Sequence, residues 1–131
     1  MDKNDPLYER GLATRKQIMG EEAVARSQQR LTPFTEEWMG FVTRYAFGEV
    51  WSRPGLPHKT RSMLTIAMLT ALGRHDELAV HIRATRQTGV SREEVQEILM
   101  QAAIYAGVPA AMSAFQRAQQ VYAEIDKEGA R

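Results

Sequence analysis

Glu77 and His81 stand four residues apart in a stretch that the pattern predicts to be helical, so their side chains share one face. A carboxylate beside an imidazole orients the ring and raises its pKa, an arrangement suited to proton transfer near neutral pH. The same spacing equally describes an ordinary surface pair, which is common on helices. Arg53 falls in a loop, Arg61 opens an apolar run and Arg83 follows closely on His81. Guanidinium groups make paired hydrogen bonds to carboxylates. Several of them near a histidine and Trp51 suit a small molecule with more than one negative charge. A single one at the edge of an apolar helix would only reach for solvent. Tyr105, just before Gly107-Val108-Pro109, offers a hydroxyl that serves a pocket or is satisfied locally. The histidines do not read as metal ligands: His75 and His81 are six positions apart, off the metalloprotease spacing. No metal is expected.

These groups sit at the two ends of one predicted element. Between Glu49 and His81 runs a proline-bracketed loop, Ser52-Arg53-Pro54-Gly55-Leu56-Pro57, in which Pro54-Gly55 reads as a turn and Pro57 as a helix opening. Residues 63–72 are almost wholly apolar, which predicts a helix buried on most sides. Gly73 ends it, and a further helix over 76–88 carries Glu77 and His81 up to Gly89, a candidate left-handed cap.

The remaining elements must frame that centre. Asn4-Asp5-Pro6 reads as a helix start, with Gly20 as the stop and Gly11 as a weak point. A short polar helix over 21–30 follows. Thr32-Pro33 predicts the next start. Phe34, Trp38, Phe41, Val42, Tyr45 and Val50 then recur at helical spacing, a stripe expected to pack in the core. Ser91 and Glu94 form a capping box, after which Val95, Ile98, Leu99, Ala102 and Tyr105 line one face. A last helix over 110–125 turns Met112, Phe115, Ala118 and Val121 or Tyr122 inward, and residues 126–131 are expected to fray. No strand-like alternation occurs. The class is all-α, about six or seven helices joined by short loops.

Composition narrows the function classes. A chain of 131 residues is expected to be a single domain, with residues 1–31 as an N-terminal helical arm laid across the core or a neighbouring subunit. Seventeen basic residues against sixteen acidic, net +1, show no basic excess for nucleic acid or an anionic membrane. There is no cysteine, which removes disulfides, thiolate catalysis and thiolate metal sites. The polar N-terminus lacks a signal-peptide core and no run reaches membrane-spanning length, so a cytoplasmic protein is expected. No glycine-rich phosphate loop or nucleophile elbow is present, and no nucleotide cofactor is suggested.

Four segments together resemble the gamma-carboxymuconolactone decarboxylases: Tyr45-Ala46-Phe47-Gly48-Glu49-Val50-Trp51-Ser52-Arg53-Pro54-Gly55-Leu56-Pro57, Arg61-Ser62-Met63-Leu64-Thr65-Ile66-Ala67-Met68, Glu77-Leu78-Ala79-Val80-His81-Ile82-Arg83-Ala84, and Ile104-Tyr105-Ala106-Gly107-Val108-Pro109-Ala110-Ala111. The Trp-Ser-Arg-Pro-Gly-Leu-Pro loop is the most specific part. The later segments alone would indicate only the wider superfamily shared with alkyl hydroperoxidase D. The resemblance implies an alkyl hydroperoxidase D-like helical domain assembled into a homo-oligomer, with hexamers built from dimers favoured. In the peroxidase relatives a Cys-x-x-Cys pair precedes a histidine. Here Arg74 and Glu77 take the cysteine places and His81 the histidine place, so thiol redox chemistry is absent. Many of these decarboxylases carry a cysteine where this chain has Ala106.

The resemblance also implies a cofactor-free decarboxylation of a dicarboxylate lactone, in the protocatechuate branch of the beta-ketoadipate pathway. Loss of CO2 would push electrons through the ring double bond into the lactone carbonyl, so the substrate supplies its own electron sink. On that reading Arg53 and Arg61 bind substrate carboxylates, and His81, supported by Glu77, is the proton donor or oxyanion partner. Trp51 walls the departing carboxylate, and Glu49, His58 and Tyr105 complete the pocket.

Overall fold

The computed structural model describes residues 4–129, and within them every regular element is helical. In chain order they are α1 (Pro6–Met19), α2 (Glu21–Gln29), α3 (Glu36–Phe41) running directly into a π-helical segment (Val42–Trp51), α4 (His58–Leu72), α5 (His75–Thr88), α6 (Arg92–Ala106) and α7 (Val108–Gly129). None of the helices is long and apolar enough to cross a membrane. The chain groups into two units, one ending at His58 and the other beginning at Lys59.

In the first unit, the Asp5 carboxylate accepts from the Leu7 N–H at 3.0 Å and Pro6 opens α1, as the sequence predicts. Gly20, at φ 90°, ends α1 and leads into α2. Arg15 ties the two helices together by donating from Nη2 to Ser27 Oγ at 2.8 Å. The next helix starts later than Thr32-Pro33 suggests. Thr32 and Thr35 close a turn on each other: the Thr32 N–H donates to Thr35 Oγ1 and the Thr35 N–H to the Thr32 carbonyl, each at 3.0 Å. The helix therefore opens at Glu36, with Thr35 as its cap.

The aromatic stripe is not the core of this unit, contrary to expectation. Phe34 is 93% exposed and Trp38 60%, and Phe41, Tyr45 and Val50 are also exposed. The buried face is Thr43, Phe47, Gly48 and Trp51. Two glycines explain the choice. A Cβ on Gly11 would fall 1.9 Å from the Thr43 carbonyl oxygen, and one on Gly48 would fall 2.6 Å from that of Leu7. Backbone lies on backbone at these positions, so the π segment turns its glycine face to α1 and its aromatics away. Ile18, Phe47 and Trp51 fill the small core beside the crossing. Gly11 is thus a requirement of packing rather than a flaw in α1.

The second unit is built on Ile66, Leu78, Ile82, Val95, Leu99, Ala114, Ala118 and Val121. The capping box at Ser91 and Glu94 forms with both bonds, and Gly89 adopts the left-handed cap at φ 85°. Helix α4 is not buried on most sides. Its inward stripe is Ser62, Ile66 and Thr70, while Leu64, Met68 and Leu72 are exposed. The inward hydroxyls are satisfied, Thr70 Oγ1 on the Ile66 carbonyl at 2.8 Å and Thr88 Oγ1 on Ser62 Oγ at 2.9 Å. Small residues face inward on α7 as well: Ala111, Ala114, Ala118 and Val121 are buried, whereas Met112 and Phe115 are exposed, as is Tyr105 on α6. Alanines let α7 approach its neighbours closely, and the larger side chains then have no space inside. The end of α7 stays helical through Gly129, where fraying was expected. The Arg92 guanidinium holds both Asp126 oxygens, at 2.6 and 3.1 Å. Residues 130–131 lie outside the described part.

Candidate functional site

The first unit carries Glu49, Trp51, Arg53 and His58. Trp51 closes the π segment and is buried, its ring stacked on Phe47 with centroids 6.3 Å apart and met edge-on by His58 at 6.3 Å. The structure therefore brings Trp51 and His58 together. Glu49 is exposed and lies 3.9 Å from Arg10, whose Nε donates to the Gly48 carbonyl at 3.0 Å. Arg53 stands just beyond the segment in the exposed loop, its N–H on the Val50 carbonyl at 3.1 Å.

The second unit carries Arg61, Glu77, His81 and Tyr105. Arg61 lies in the first turn of α4 and is half-buried. On α5, Glu77 is exposed and His81 is partly buried. Burial pushes the His81 imidazole below its ordinary value, the opposite direction from the rise expected of a carboxylate neighbour. Burial thus favours the neutral ring, which offers an N–H donor and a lone pair rather than a standing cation. Arg83 is committed elsewhere: its Nη2 lies 2.6 Å from Glu124 and 3.1 Å from Glu128, both on α7. That network explains why a third arginine near the histidine adds no free carboxylate binder.

Tyr105 is 83% exposed and stands at the rim of a groove of about 660 Å³ between α4 and α6. Met63, Leu64, Ala67, Met68 and Ala102 give that groove an apolar floor. Periodicity cannot find such a groove, because an all-apolar helix looks the same whether its second face is covered or open. Among the described residues no three potential ligand side chains gather as a metal group.

A family model described as the carboxymuconolactone decarboxylase family matches residues 36–120. The 4-carboxymuconolactone decarboxylase of Acinetobacter baylyi is 45% identical over 122 residues, covering 93% of this chain and 91% of its own. This chain belongs to the carboxymuconolactone decarboxylase family. The family match spans the π segment, the proline-bracketed loop and α4 to α6, and so takes in every candidate residue named above. A second relative, the nitrosuccinic acid decarboxylase of Metarhizium robertsii, is 36% identical over 108 residues, which is 82% of this chain and 76% of its own.

Proposed function

We propose that this protein is a carboxy-lyase that converts gamma-carboxymuconolactone to 3-oxoadipate enol-lactone and CO2, a step of protocatechuate breakdown. The observation that carries this reading is the 45% identity to the Acinetobacter enzyme across 93% of the chain. In the substrate one carbon bears the ring oxygen, a carboxylate and an acetate arm, and it adjoins the ring double bond. Breaking the bond to the carboxylate sends its electron pair through that double bond to the lactone oxygen. The resulting dienolate is protonated at the carbon alpha to the carbonyl. The lactone is the electron sink, so the chemistry needs no cofactor.

The protein then has to hold two carboxylates, stabilise the oxyanion and deliver a proton. Arg53 and Arg61 bind the carboxylates. His81, assisted by Glu77, meets the oxyanion or delivers the proton; its lowered pKa favours the neutral ring, whose N–H suits the oxyanion role, whereas proton delivery would need the imidazolium. Oxyanion stabilisation is the largest contribution in reactions of this kind. Trp51 supplies an apolar wall beside the departing carboxylate, with Glu49, His58 and Tyr105 as further members. Purified protein mixed with gamma-carboxymuconolactone should release CO2 and enol-lactone. No turnover of this lactone would refute the assignment.

The Metarhizium relative favours a second reading, of substrate range. Nitrosuccinate and gamma-carboxymuconolactone are both substituted succinates, each with the departing carboxylate on a carbon joined to an electron sink, a nitro group in one and the unsaturated lactone in the other. The same residues would serve both, and nitrosuccinate would give CO2 and a nitronate that is protonated on carbon. Competition between the two compounds distinguishes a shared site from a lactone-only one. The protein acts in the cytoplasm as a homo-oligomer, with a hexamer as the favoured form. The exposed apolar faces of α3 and α4 support association.

A further inference from the structure

The π segment ends in a hydrogen-bond chain to which the roles above give no part. Ser52 Oγ lies 2.6 Å from the Phe47 carbonyl oxygen and 2.7 Å from Thr14 Oγ1. A carbonyl only accepts, so the Ser52 hydroxyl proton is committed to Phe47. The bond between the two hydroxyls must then be donated by Thr14. The chain therefore has one direction, Thr14 to Ser52 to Phe47.

Its position gives it meaning. In a π-helix the Phe47 carbonyl would receive the N–H five residues on, that of Ser52. Here the Ser52 N–H turns toward the Val50 carbonyl, as does the N–H of Arg53. The Ser52 hydroxyl caps the Phe47 carbonyl where the helix stops. Thr14 is buried in α1, which is pinned to the π segment by the Gly11 and Gly48 contacts. A rigid element thus grips the residue immediately before Arg53. Loops that carry binding groups lose affinity to the cost of ordering them, and an anchored loop entry removes part of that cost.

We propose that Thr14 and Ser52 are positioning residues, which fix the entry of the 52–57 loop so that the Arg53 guanidinium meets a substrate carboxylate. The inference rests on the reading of Arg53 as a carboxylate binder. The test is steady-state kinetics with gamma-carboxymuconolactone on Thr14→Val, Thr14→Ser, Ser52→Ala, Arg53→Ala and the Ser52→Ala/Arg53→Ala double variant, with thermal melts in parallel. Loss of one hydrogen bond from the chain should raise KM about three- to tenfold while kcat changes by less than about twofold. Thr14→Ser, which keeps the donor, should behave as wild type. Ser52→Ala should add nothing on the Arg53→Ala background.

If Arg53→Ala raises KM but Thr14→Val and Ser52→Ala leave it alone, the positioning role is overturned and the carboxylate reading stands. The same holds if the Ser52→Ala effect persists undiminished without Arg53, or if the two variants lower only the melting temperature. If Arg53→Ala itself leaves KM and kcat unchanged, the carboxylate reading falls and the positioning role with it.

Discussion

His81 shows what one residue's surroundings do to its chemistry. Its fourfold spacing from Glu77 is visible in the sequence, but its pKa direction is not, because burial depends on how α5 packs. With the pKa lowered and the neutral ring active, kcat/KM should be level around neutrality. It should stay level down past the ordinary imidazole value of about 6.5 and fall only as pH drops through the lower folded value. A rate that fell instead as pH rose through that range would identify the imidazolium as the working form. Stability follows the same sign: the unfolded ring binds its proton more readily, so the native state loses stability as pH falls from the ordinary value to the folded one. His81→Ala should lower kcat by about a hundredfold or more, the usual worth of one oxyanion donor. Near-wild-type turnover in that variant would remove His81 from the reaction. Arg53→Lys should raise KM about tenfold, since an ammonium cannot make the paired bond. A competition assay with a small dicarboxylate would report the same loss.

At the scale of elements, the sequence speaks clearly where the signal is local. The Asp5 cap, the Ser91–Glu94 box and the Gly89 stop follow from residue types within one turn and occur as predicted. It misleads where a contact made across the fold decides the matter. The aromatic stripe from Phe34 to Val50 has helical periodicity, yet the segment winds as a π-helix and turns its glycine face inward. Gly11 and Gly48 decide this from different elements, and neither is distinguishable in sequence from an incidental glycine. The consequence is measurable. Gly11→Ala would drive a methyl into the Thr43 carbonyl and should destabilise the protein by about 3 kcal/mol. Gly55→Ala meets nothing within 4 Å and should stay within about 0.5 kcal/mol of wild type. Urea unfolding of both variants checks the pair. Equal stability would mean that α1 does not lie on the π segment through its glycine.

For the whole molecule, the contrast on α4 carries the argument. Residues 63–72 are almost wholly apolar, which predicts burial on most sides, yet Leu64, Met68 and Leu72 are 44%, 59% and 72% exposed. Phe34 and Trp38 repeat the pattern at the other end of the sequence. Monomeric proteins rarely leave such contiguous apolar surface in water. The simplest resolution is that the sequence encodes a core that one chain only half completes, which is the homo-oligomer proposed above. Met68→Lys tests this cleanly. Met68 lies on the exposed face of the groove, so a lysine there keeps its charge in water while the chain stays folded. In an interface the same charge would be stranded among Leu64, Ala67 and Tyr105. Sedimentation analysis should show wild type as a multimer and Met68→Lys as smaller species with unchanged helicity by circular dichroism. A wild-type monomer, or a variant that keeps its assembly, would require another explanation for so much exposed apolar surface.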